Sequence, residues 1–256
     1  MGQTPSARYV RYSYEGVTSY GELRGDTVVE LEGDLFSSPV ASGRSVPLAA
    51  VRLLAPCQPS KVIAVGLNYR SHLGGRPEPQ APGLFAKFPT SIIACDDEIV
   101  IPADAETVHY EGELVIVIGK RTKHVSVEEA PAHIFGVTAG NDVSERVWQR
   151  GDLQWVRAKG SDTFGPLGPA IATGLEYNDL LVQSRLNGEV RQSERSADLI
   201  FSVETIVSYA SRYITFFPGD VIFTGTPGTT DAMVPGDVVE VEVESVGVLR
   251  NRVVAA

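Results

Sequence analysis

Two glutamates, Glu111 and Glu113, stand two positions apart at the start of the apolar segment YEGELVIVIGK. Alternation along a β-strand places both carboxylates on one face. Burying two like charges is costly unless one is protonated, a basic residue pairs with them, or a cation binds between them. Asp142 ends the apolar run IFGVTAGND and adds a third carboxylate. Together they form a hard-oxygen ligand set that suits Mg²⁺, Mn²⁺ or Ca²⁺ better than zinc. The alternative is that they are three solvated members of the 32 acidic residues.

The element that must position the glutamates is predicted to be one strand over residues 108–120, VHYEGELVIVIGK. Val and Ile dominate it and a Gly closes it, as in many strands. Glu111 and Glu113 share a face with Val115, while Leu114 lies on the other. Because both faces are apolar beyond the glutamates, we expect the strand to be covered on both sides.

The whole chain is predicted to be mainly β (α+β) with short helices, because its 25 Gly and 16 Pro indicate many turns. Residues 1–55 read as a small antiparallel β module. The prolines of APCQPS, residues 55–60, indicate a linker. The main domain, residues 60–254, follows it. Residues 70–83 carry Gly and Pro without periodicity and predict a loop that could act as a lid.

Three local signals predict particular elements. Asn187-Gly188 lies between alternating segments and predicts a β-hairpin. Ser202 precedes apolar positions at helical spacing and predicts a helix. Ser126, followed by glutamates, predicts a short helix in SVEEAPAHIFG.

Composition excludes several classes of partner. A net charge of −10 argues against nucleic acid. No apolar run approaches the length of a membrane span, and MGQTPSARYVRY lacks an apolar signal core, so we expect a cytoplasmic protein without a membrane partner. Cys57 and Cys95 have no CxxC spacing and predict free thiols.

A run of motifs resembles the fumarylacetoacetate hydrolase family over about residues 60–254. The matching segments are VGLNYRSH, LFAKFPTSII, YEGELVIVIG, FGVTAGNDVSERVWQ, KGSDTFGPLGP, RLNGEVRQ and PGDVIFTGTP. The resemblance implies a mixed β-sandwich roll with a short N-terminal module, usually a homodimer. It also implies that Glu111, Glu113 and Asp142 bind one divalent cation, Mg²⁺ or Mn²⁺.

The same resemblance implies the rest of the site. His72 matches a catalytic histidine on the lid, and Lys159 matches a lysine near the metal and the reacting carbonyl. Arg146 and Gln149 match residues that contact the substrate or its oxyanion. Thr226 matches a residue that binds the substrate carboxylate. His109, His124 and His133 have no comparable support.

The lid departs from the family pattern. Relatives often carry Glu three residues after the lid histidine, whereas position 75 here is Gly. Glu78 and Glu145 are two candidates to replace that carboxylate. Val147 also stands where Asp is common, so the surroundings of Arg146 can differ.

The resemblance implies a small dicarbonyl or 2-oxo acid as substrate. The expected reaction is hydrolysis of a C–C bond in a 2,4-dioxo (acylpyruvate-like) acid, with a metal-stabilised enolate and His-activated water. The alternatives are non-hydrolytic enolate chemistry or a silent metal- and ligand-binding protein. Such enolate chemistry includes oxaloacetate decarboxylation, isomerisation or tautomerisation, and dehydration or cyclisation.

Overall fold

The structure is a computed structural model that describes residues 6–256. Its helices are α1 (Arg146–Gly151), α2 (Val156–Gly160) and α3 (Val203–Ser211), joined by short 3₁₀ turns at Leu48–Ala50, Arg70–His72, Pro89–Ser91, Ala130–His133, Tyr177–Asp179 and Ser196–Asp198. Its strands are β1 (Ala7–Tyr14), β2 (Val17–Arg24), β3 (Thr27–Glu32), β4 (Val40–Pro47), β5 (Arg52–Leu54), β6 (Val62–Gly66), β7 (Gly83–Lys87), β8 (Ile92–Ile93), β9 (Glu98–Ile101), β10 (Val108–His109), β11 (Gly112–Ile118), β12 (Ile134–Asn141), β13 (Ser144–Glu145), β14 (Gly165–Thr173), β15 (Leu181–Leu186), β16 (Glu189–Arg195), β17 (Val221–Phe223), β18 (Val238–Val243) and β19 (Gly247–Ala255). The mainly β prediction is confirmed.

The strands form a large sheet that packs on a smaller one. The large sheet has the order β4-β3-β2-β1-β14-β12-β11-β17-β6-β7, with β5 beside β1 and β8 beside β14. The smaller sheet has the order β16-β15-β18-β19-β9, and β10 pairs with β13 apart from both. The two sheets meet where β11, β12 and β14 pack against β15, β18 and β19.

Strand β11 is covered on both faces, as its sequence predicts. Leu114 and Ile116 join Val182 and Val241 in the core between the two sheets. Val115, on the opposite face, belongs to a second core cluster. Every residue of β11 is buried. The strand is therefore a rigid platform for the residues at its start.

The N-terminal strands extend the large sheet. β1 pairs antiparallel with β14, with Ala7 opposite Thr173. Strands β1–β4 form successive antiparallel pairs, as the sequence predicts. That residues 1–55 fold as a module of their own stays a prediction.

Two of the three local sequence signals predict the observed elements, and the third predicts a helix that does not form. Asn187 and Gly188 both have positive φ in the turn that joins β15 to β16, as a type I′ hairpin requires. Ser202 accepts a hydrogen bond from Thr205 N and caps α3. The helix predicted after Ser126 is wrong, because only a turn and a 3₁₀ segment form there. Pro131 lacks the N–H that the next helical turn needs.

Helix α3 is nine residues long, and no helix within residues 6–256 is long and apolar enough to cross a membrane. The cytoplasmic location stays a prediction, and the first residues on which it partly rests lie outside the described range. Within that range Cys57 and Cys95 are both free thiols, as predicted.

Two Pro-Gly-Asp turns contain the same hydrogen bond in different surroundings. Asp220 accepts from Phe217 N at 2.7 Å, and Asp237 accepts from Val234 N at 2.8 Å. Asp220 is fully buried and also accepts hydrogen bonds from Ser60 N, Ser60 Oγ and the Lys61 ammonium. It therefore ties the start of β6 to the start of β17, two strands that carry the site.

We predict that Asp220→Ala lowers the free energy of unfolding by about 3–5 kcal/mol, because it leaves several buried donors and the Lys61 ammonium without an acceptor. Asp237→Ala is the matched control and should cost about 1 kcal/mol, because its turn is partly exposed. Urea denaturation of both variants checks this. Equal losses would contradict the assignment of Asp220 as a buried anchor.

Candidate active site

One cavity of about 520 Å³ lies at an edge of the large sheet. Strands β6, β12 and β17 end at this edge, and β7 and β11 begin there. The reason is that β11 runs antiparallel to β12 and β17, and β7 runs antiparallel to β6. All eight residues that the sequence assigns to the site line this cavity: His72, Glu111, Glu113, Asp142, Arg146, Gln149, Lys159 and Thr226.

The acidic group forms the floor of the cavity. Glu111, Glu113 and Asp142 are 5%, 1% and 1% exposed, and each offers a carboxylate oxygen within 4.8 Å of the other two. The backbone fixes this approach, because Gly112 pairs with Asn141 and Asp142 N donates to Glu111 O at 2.9 Å. The grouping of three carboxylates that the sequence predicts is therefore present.

The strand predicted over residues 108–120 is not continuous. It breaks at Tyr110 and Glu111, which separate β10 from β11. At the break, Glu111 N donates at 2.9 Å to the side-chain oxygen of Asn141 rather than to a neighbouring strand. The break places the Glu111 carboxylate beside that of Glu113 at the cavity floor.

Two buried lysines neutralise part of the acidic charge. Lys159 Nζ donates to Glu111 Oε2 at 2.8 Å and to Asp142 Oδ2 at 2.7 Å. Burial opposes its charge, but Asp142 and Glu111 raise the pKa of Lys159 above its ordinary value. Lys87 Nζ donates to Asp142 Oδ1 at 2.7 Å and to the Lys159 carbonyl. Burial lowers the pKa of Lys87, against the attraction of Asp142.

Glu113 differs from its two neighbours because no basic residue of the described chain pairs with it. Its carboxylate accepts one hydrogen bond, from Gly225 N at 2.7 Å. Burial, together with the charges of Asp142 and Glu111, raises the pKa of Glu113 well above its ordinary value. For Glu111 burial acts in the same direction, but Lys159, Arg146 and His72 outweigh it and lower its pKa. The donor set and the unpaired Glu113 carboxylate fit a divalent cation.

His72 projects from a 3₁₀ turn on the loop of residues 70–83. Its Nδ1 lies 2.7 Å from the Gly228 carbonyl, which can only accept, so Nδ1 carries the hydrogen. In the neutral imidazole Nε2 therefore holds the lone pair, and it lies 4.0 Å from Glu111 Oε1. Ser71 Oγ accepts from Gly228 N at 2.8 Å and fastens the same turn.

Neither glutamate proposed to replace the missing lid carboxylate contacts His72. Glu78 pairs with Arg70 at 2.6 Å on the outside of the loop. Glu145 is fully buried, caps α1, and accepts from the backbone N–H groups of Glu106 and Thr107. Its function in the described structure is to hold backbone donors.

Helix α1 supplies the residues at the side wall. Arg146 Nη2 lies 2.6 Å from Glu111 Oε1 and 2.8 Å from Thr230 Oγ1, and its Nη1 donates to Gln149 Oε1 at 2.9 Å. His109 Nδ1 lies 2.9 Å from Thr230 Oγ1 and lines the same cavity, although the motifs do not assign it. Burial, with the nearby Arg146 charge, lowers the pKa of His109.

Thr226 is held by its own hydrogen bonds. Its hydroxyl donates to Gly112 O at 2.9 Å and accepts from Gln192 Nε2 at 2.7 Å. Gln192 Oε1 accepts from Gly112 N at 3.0 Å and from Ser184 Oγ at 2.7 Å. Gln192 thus fixes the peptide between Glu111 and Glu113.

Sequence reasoning missed several residues of the site. The signal for Lys87 was a lysine inside the apolar strand LFAKF, and none existed for the contacts of Gln192. The missed residues are Lys87, Gln192, Thr230 and the cavity-lining Arg76 and Arg150.

Comparison with known families assigns most of the chain. The family described as fumarylacetoacetate (FAA) hydrolase C-terminal matches residues 61–254. A second family, described as Rv2993c-like, N-terminal, matches residues 7–56.

Similar proteins include enzymes with different reactions. The human mitochondrial oxaloacetate tautomerase FAHD2A is 41% identical over 224 residues, which are 82% of this chain and 71% of that protein. The crystal structure of 2-hydroxyhepta-2,4-diene-1,7-dioate isomerase from Mycobacterium marinum has a TM-score of 0.92 and 41% identity, and covers 97% of this chain and 98% of its own. Maleylpyruvate hydrolase from Sphingobium sp. SYK-6, in complex with manganese(II) and pyruvate, has a TM-score of 0.81 and 27% identity over 97% of this chain and 99% of its own.

These relatives are a tautomerase, an isomerase and a hydrolase, and the solved structures of the isomerase and the hydrolase share the fold described above. The match over residues 61–254 covers every residue that the sequence assigns to the site. The chain therefore belongs to the fumarylacetoacetate hydrolase family of enzymes.

Proposed function

We propose that the chain is a divalent-metal-dependent enzyme that moves a proton between carbon and oxygen of a small 2-oxo acid, as in keto–enol tautomerisation or double-bond isomerisation. The observation that carries this proposal is the setting of His72. Its Nε2 is directed toward the acidic floor, while a carbonyl, not a carboxylate, holds its Nδ1.

This setting favours proton transfer at carbon over hydrolysis. A hydrolase of this type must activate water, and the resemblance assigns part of that task to a lid glutamate. Position 75 is Gly here, and Glu78 and Glu145 are both engaged elsewhere. Proton transfer at carbon requires only one base within reach, and His72 can serve alone.

Glu111, Glu113 and Asp142 would hold the cation. Mg²⁺ or Mn²⁺ bound there would act as a Lewis acid toward the oxygens of the substrate. The surplus carboxylate of Glu113 supports this assignment, since a buried acid without a basic partner is otherwise kept neutral by a proton.

In the keto-to-enol direction, His72 Nε2 takes a proton from the carbon beside the 2-oxo group. The C–H electron pair becomes the C=C bond, and the carbonyl π pair moves onto oxygen. Return of the proton to that oxygen gives the enol. The imidazolium that forms between these steps keeps its Nδ1 hydrogen on Gly228 O, and the Glu111 carboxylate at 4.0 Å stabilises its charge.

Lys159 and Arg146 would stabilise the oxygen as it gains charge. Lys159 is buried and its pKa is raised, so its ammonium is a charged donor at the floor. Arg146 is already oriented by Glu111 and Gln149. Binding of a substrate carboxylate by Thr226 would require its hydroxyl hydrogen to leave Gly112 O, and this function stays a prediction.

The similarity to an oxaloacetate tautomerase and to a dienedioate isomerase supports the proposal. Hydrolysis of an acylpyruvate is the second candidate, favoured by the similarity to a maleylpyruvate hydrolase and by the free Nε2 of His72. The homodimer implied by the resemblance also stays a prediction, which sedimentation in solution checks.

The test compares oxaloacetate with acetylpyruvate in Mg²⁺, in Mn²⁺ and in chelator. We expect metal-dependent loss of the enol absorbance of oxaloacetate above the buffer rate, without release of carbon dioxide. Metal-dependent cleavage of acetylpyruvate to pyruvate and acetate, without enol conversion, would establish hydrolysis instead. Carbon dioxide release would identify a decarboxylase and overturn the proposal.

Two buried glutamates make a matched pair for the metal assignment. We predict that Glu113→Gln weakens Mn²⁺ binding by roughly a hundredfold or more, because it removes a ligand charge. Glu145→Gln should leave Mn²⁺ affinity near wild type but lower stability, because Glu145 holds three backbone donors. Calorimetric titration and thermal unfolding measure both effects. Similar Mn²⁺ affinity in the two variants would contradict the assignment.

The metal-free protein should also respond to pH through Glu113. Its pKa in the folded chain is raised, so the folded state binds this proton more tightly than the unfolded state does. Stability should therefore fall as pH rises from the ordinary Glu range through the raised pKa. Glu113→Gln should remove this fall, as measured by thermal unfolding with chelator at several pH values. A fall of equal size in that variant would contradict the prediction.

We predict that His72→Ala lowers turnover at least about 100-fold, because it removes the proposed base. Mn²⁺ affinity should remain near wild type, since the three carboxylates are untouched. His124→Asn is the control: His124 is exposed, lies outside the cavity and has a positive φ that Asn tolerates. Undiminished turnover in His72→Ala would remove His72 from the mechanism.

A further inference from the structure

Two exposed arginines line the outer part of the cavity. Arg76 lies on the loop of residues 70–83, and Arg150 lies in the last turn of α1. Neither guanidinium forms a hydrogen bond or an ion pair with any residue in the described range 6–256. This is notable in a chain whose net charge is −10, where acidic partners outnumber basic ones.

The one acidic residue of the loop 70–83 already forms an ion pair with another arginine. Glu78, two residues after Arg76, pairs with Arg70 through Nε at 2.6 Å. His72 and Ser71 attach this loop to Gly228, and Arg76 of the same loop lines the cavity. The loop thus has two arginines and one glutamate, and the unpaired arginine is the one at the cavity.

The α1–α2 segment repeats this arrangement. Asp152, two residues after Arg150, accepts from Arg157 Nη2 at 2.6 Å and from Arg157 Nε at 3.2 Å. Arg157 does not line the cavity, whereas Arg150 does. Here too the acid pairs with one arginine and leaves the other facing the cavity without a counter-charge.

The helix relates Arg150 to the floor. Arg146 and Arg150 are four positions apart in α1 and therefore share one face, about 6 Å apart along the axis. Arg146 reaches down to Glu111 at 2.6 Å. Arg150 is exposed one turn later, so the two guanidiniums lie at different depths of the cavity.

Among the charged side chains of the cavity, Arg76 and Arg150 are the two cations that have no acidic partner within residues 6–256. Arg146 and Lys159 pair with the floor acids, and Glu113 is the carboxylate that fits a cation. A volume of about 520 Å³ lies within the range of small-molecule sites. We propose that Arg76 and Arg150 form an anion subsite that selects 2-oxo acids carrying a second, distal carboxylate.

This inference rests on the proposed function, because it takes the 2-oxo acid group to bind at the floor. The subsite gives an anionic substrate local attraction in a protein whose overall charge repels it. Because both arginines are exposed, each contact should contribute modestly and should weaken as salt increases.

The test uses pairs of acids that differ only in a distal carboxylate in place of a methyl group: oxaloacetate against 2-oxobutanoate, and 2-oxoglutarate against 2-oxopentanoate. Their dissociation constants are measured by calorimetry on the Mn²⁺-loaded protein, with pyruvate as the probe of the floor. The variants are Arg76→Gln, Arg150→Gln and the double variant. Arg24→Gln is the control. It removes the same charge, but Arg24 is exposed and pairs with Glu22 away from the cavity.

We expect wild type to bind 2-oxoglutarate about tenfold more tightly than 2-oxopentanoate. Each single variant should reduce this ratio of dissociation constants roughly three- to fivefold. The double variant should lose the preference entirely while binding pyruvate normally, and added salt should erase it in wild type. Pyruvate binding without any preference for a distal carboxylate, or a preference that survives the double variant, would overturn the subsite alone. Failure of pyruvate to bind the Mn²⁺-loaded protein would overturn the proposed function, and the subsite with it.

Discussion

The burial of three carboxylates at one edge of the large sheet is the constraint on which the site depends. Like charges at this depth repel each other and lose their hydration, so each needs a compensating partner. Glu111 and Asp142 obtain theirs from Lys159, with Lys87 and Arg146 assisting. Glu113 has no basic partner within residues 6–256, so it is the carboxylate of the three that best fits a cation.

The two-layer core makes this arrangement possible. Strand β11 is buried on both faces, so its first residues have little freedom to move toward solvent. Its neighbour β12 brings Asp142 alongside, and the turn after β17 brings Gly225 N to Glu113. The loop that carries His72 is attached from outside through Gly228. A rigid acidic floor is thereby combined with the imidazole of His72 on a separate segment.

Local patterns predicted the elements, and long-range contacts decided the details. The alternation in β11, the hairpin at Asn187-Gly188 and the cap at Ser202 each rest on neighbours in sequence, so they could be read correctly. All eight residues that the family resemblance assigned line the cavity, but the resemblance did not assign others that line it, such as Thr230, Arg76 and Arg150. The break before Gly112 could not be predicted, because it depends on an Asn141 side chain 30 residues away. The sequence left open whether Glu145 or Glu78 replaces the lid carboxylate for the same reason, since the Glu106 and Thr107 N–H groups that Glu145 holds lie nearly 40 residues earlier.

The most direct test of the account is a crystal structure of the protein grown with Mn²⁺, with anomalous scattering measured at the manganese edge. The account predicts one strong anomalous peak bounded by carboxylate oxygens of Glu111, Glu113 and Asp142. It also predicts that the Nζ of Lys159 moves away from at least one of its two carboxylates to make room. No peak at this position at saturating Mn²⁺, with Lys159 still joining Glu111 to Asp142, would contradict the central claim that these three residues hold a metal.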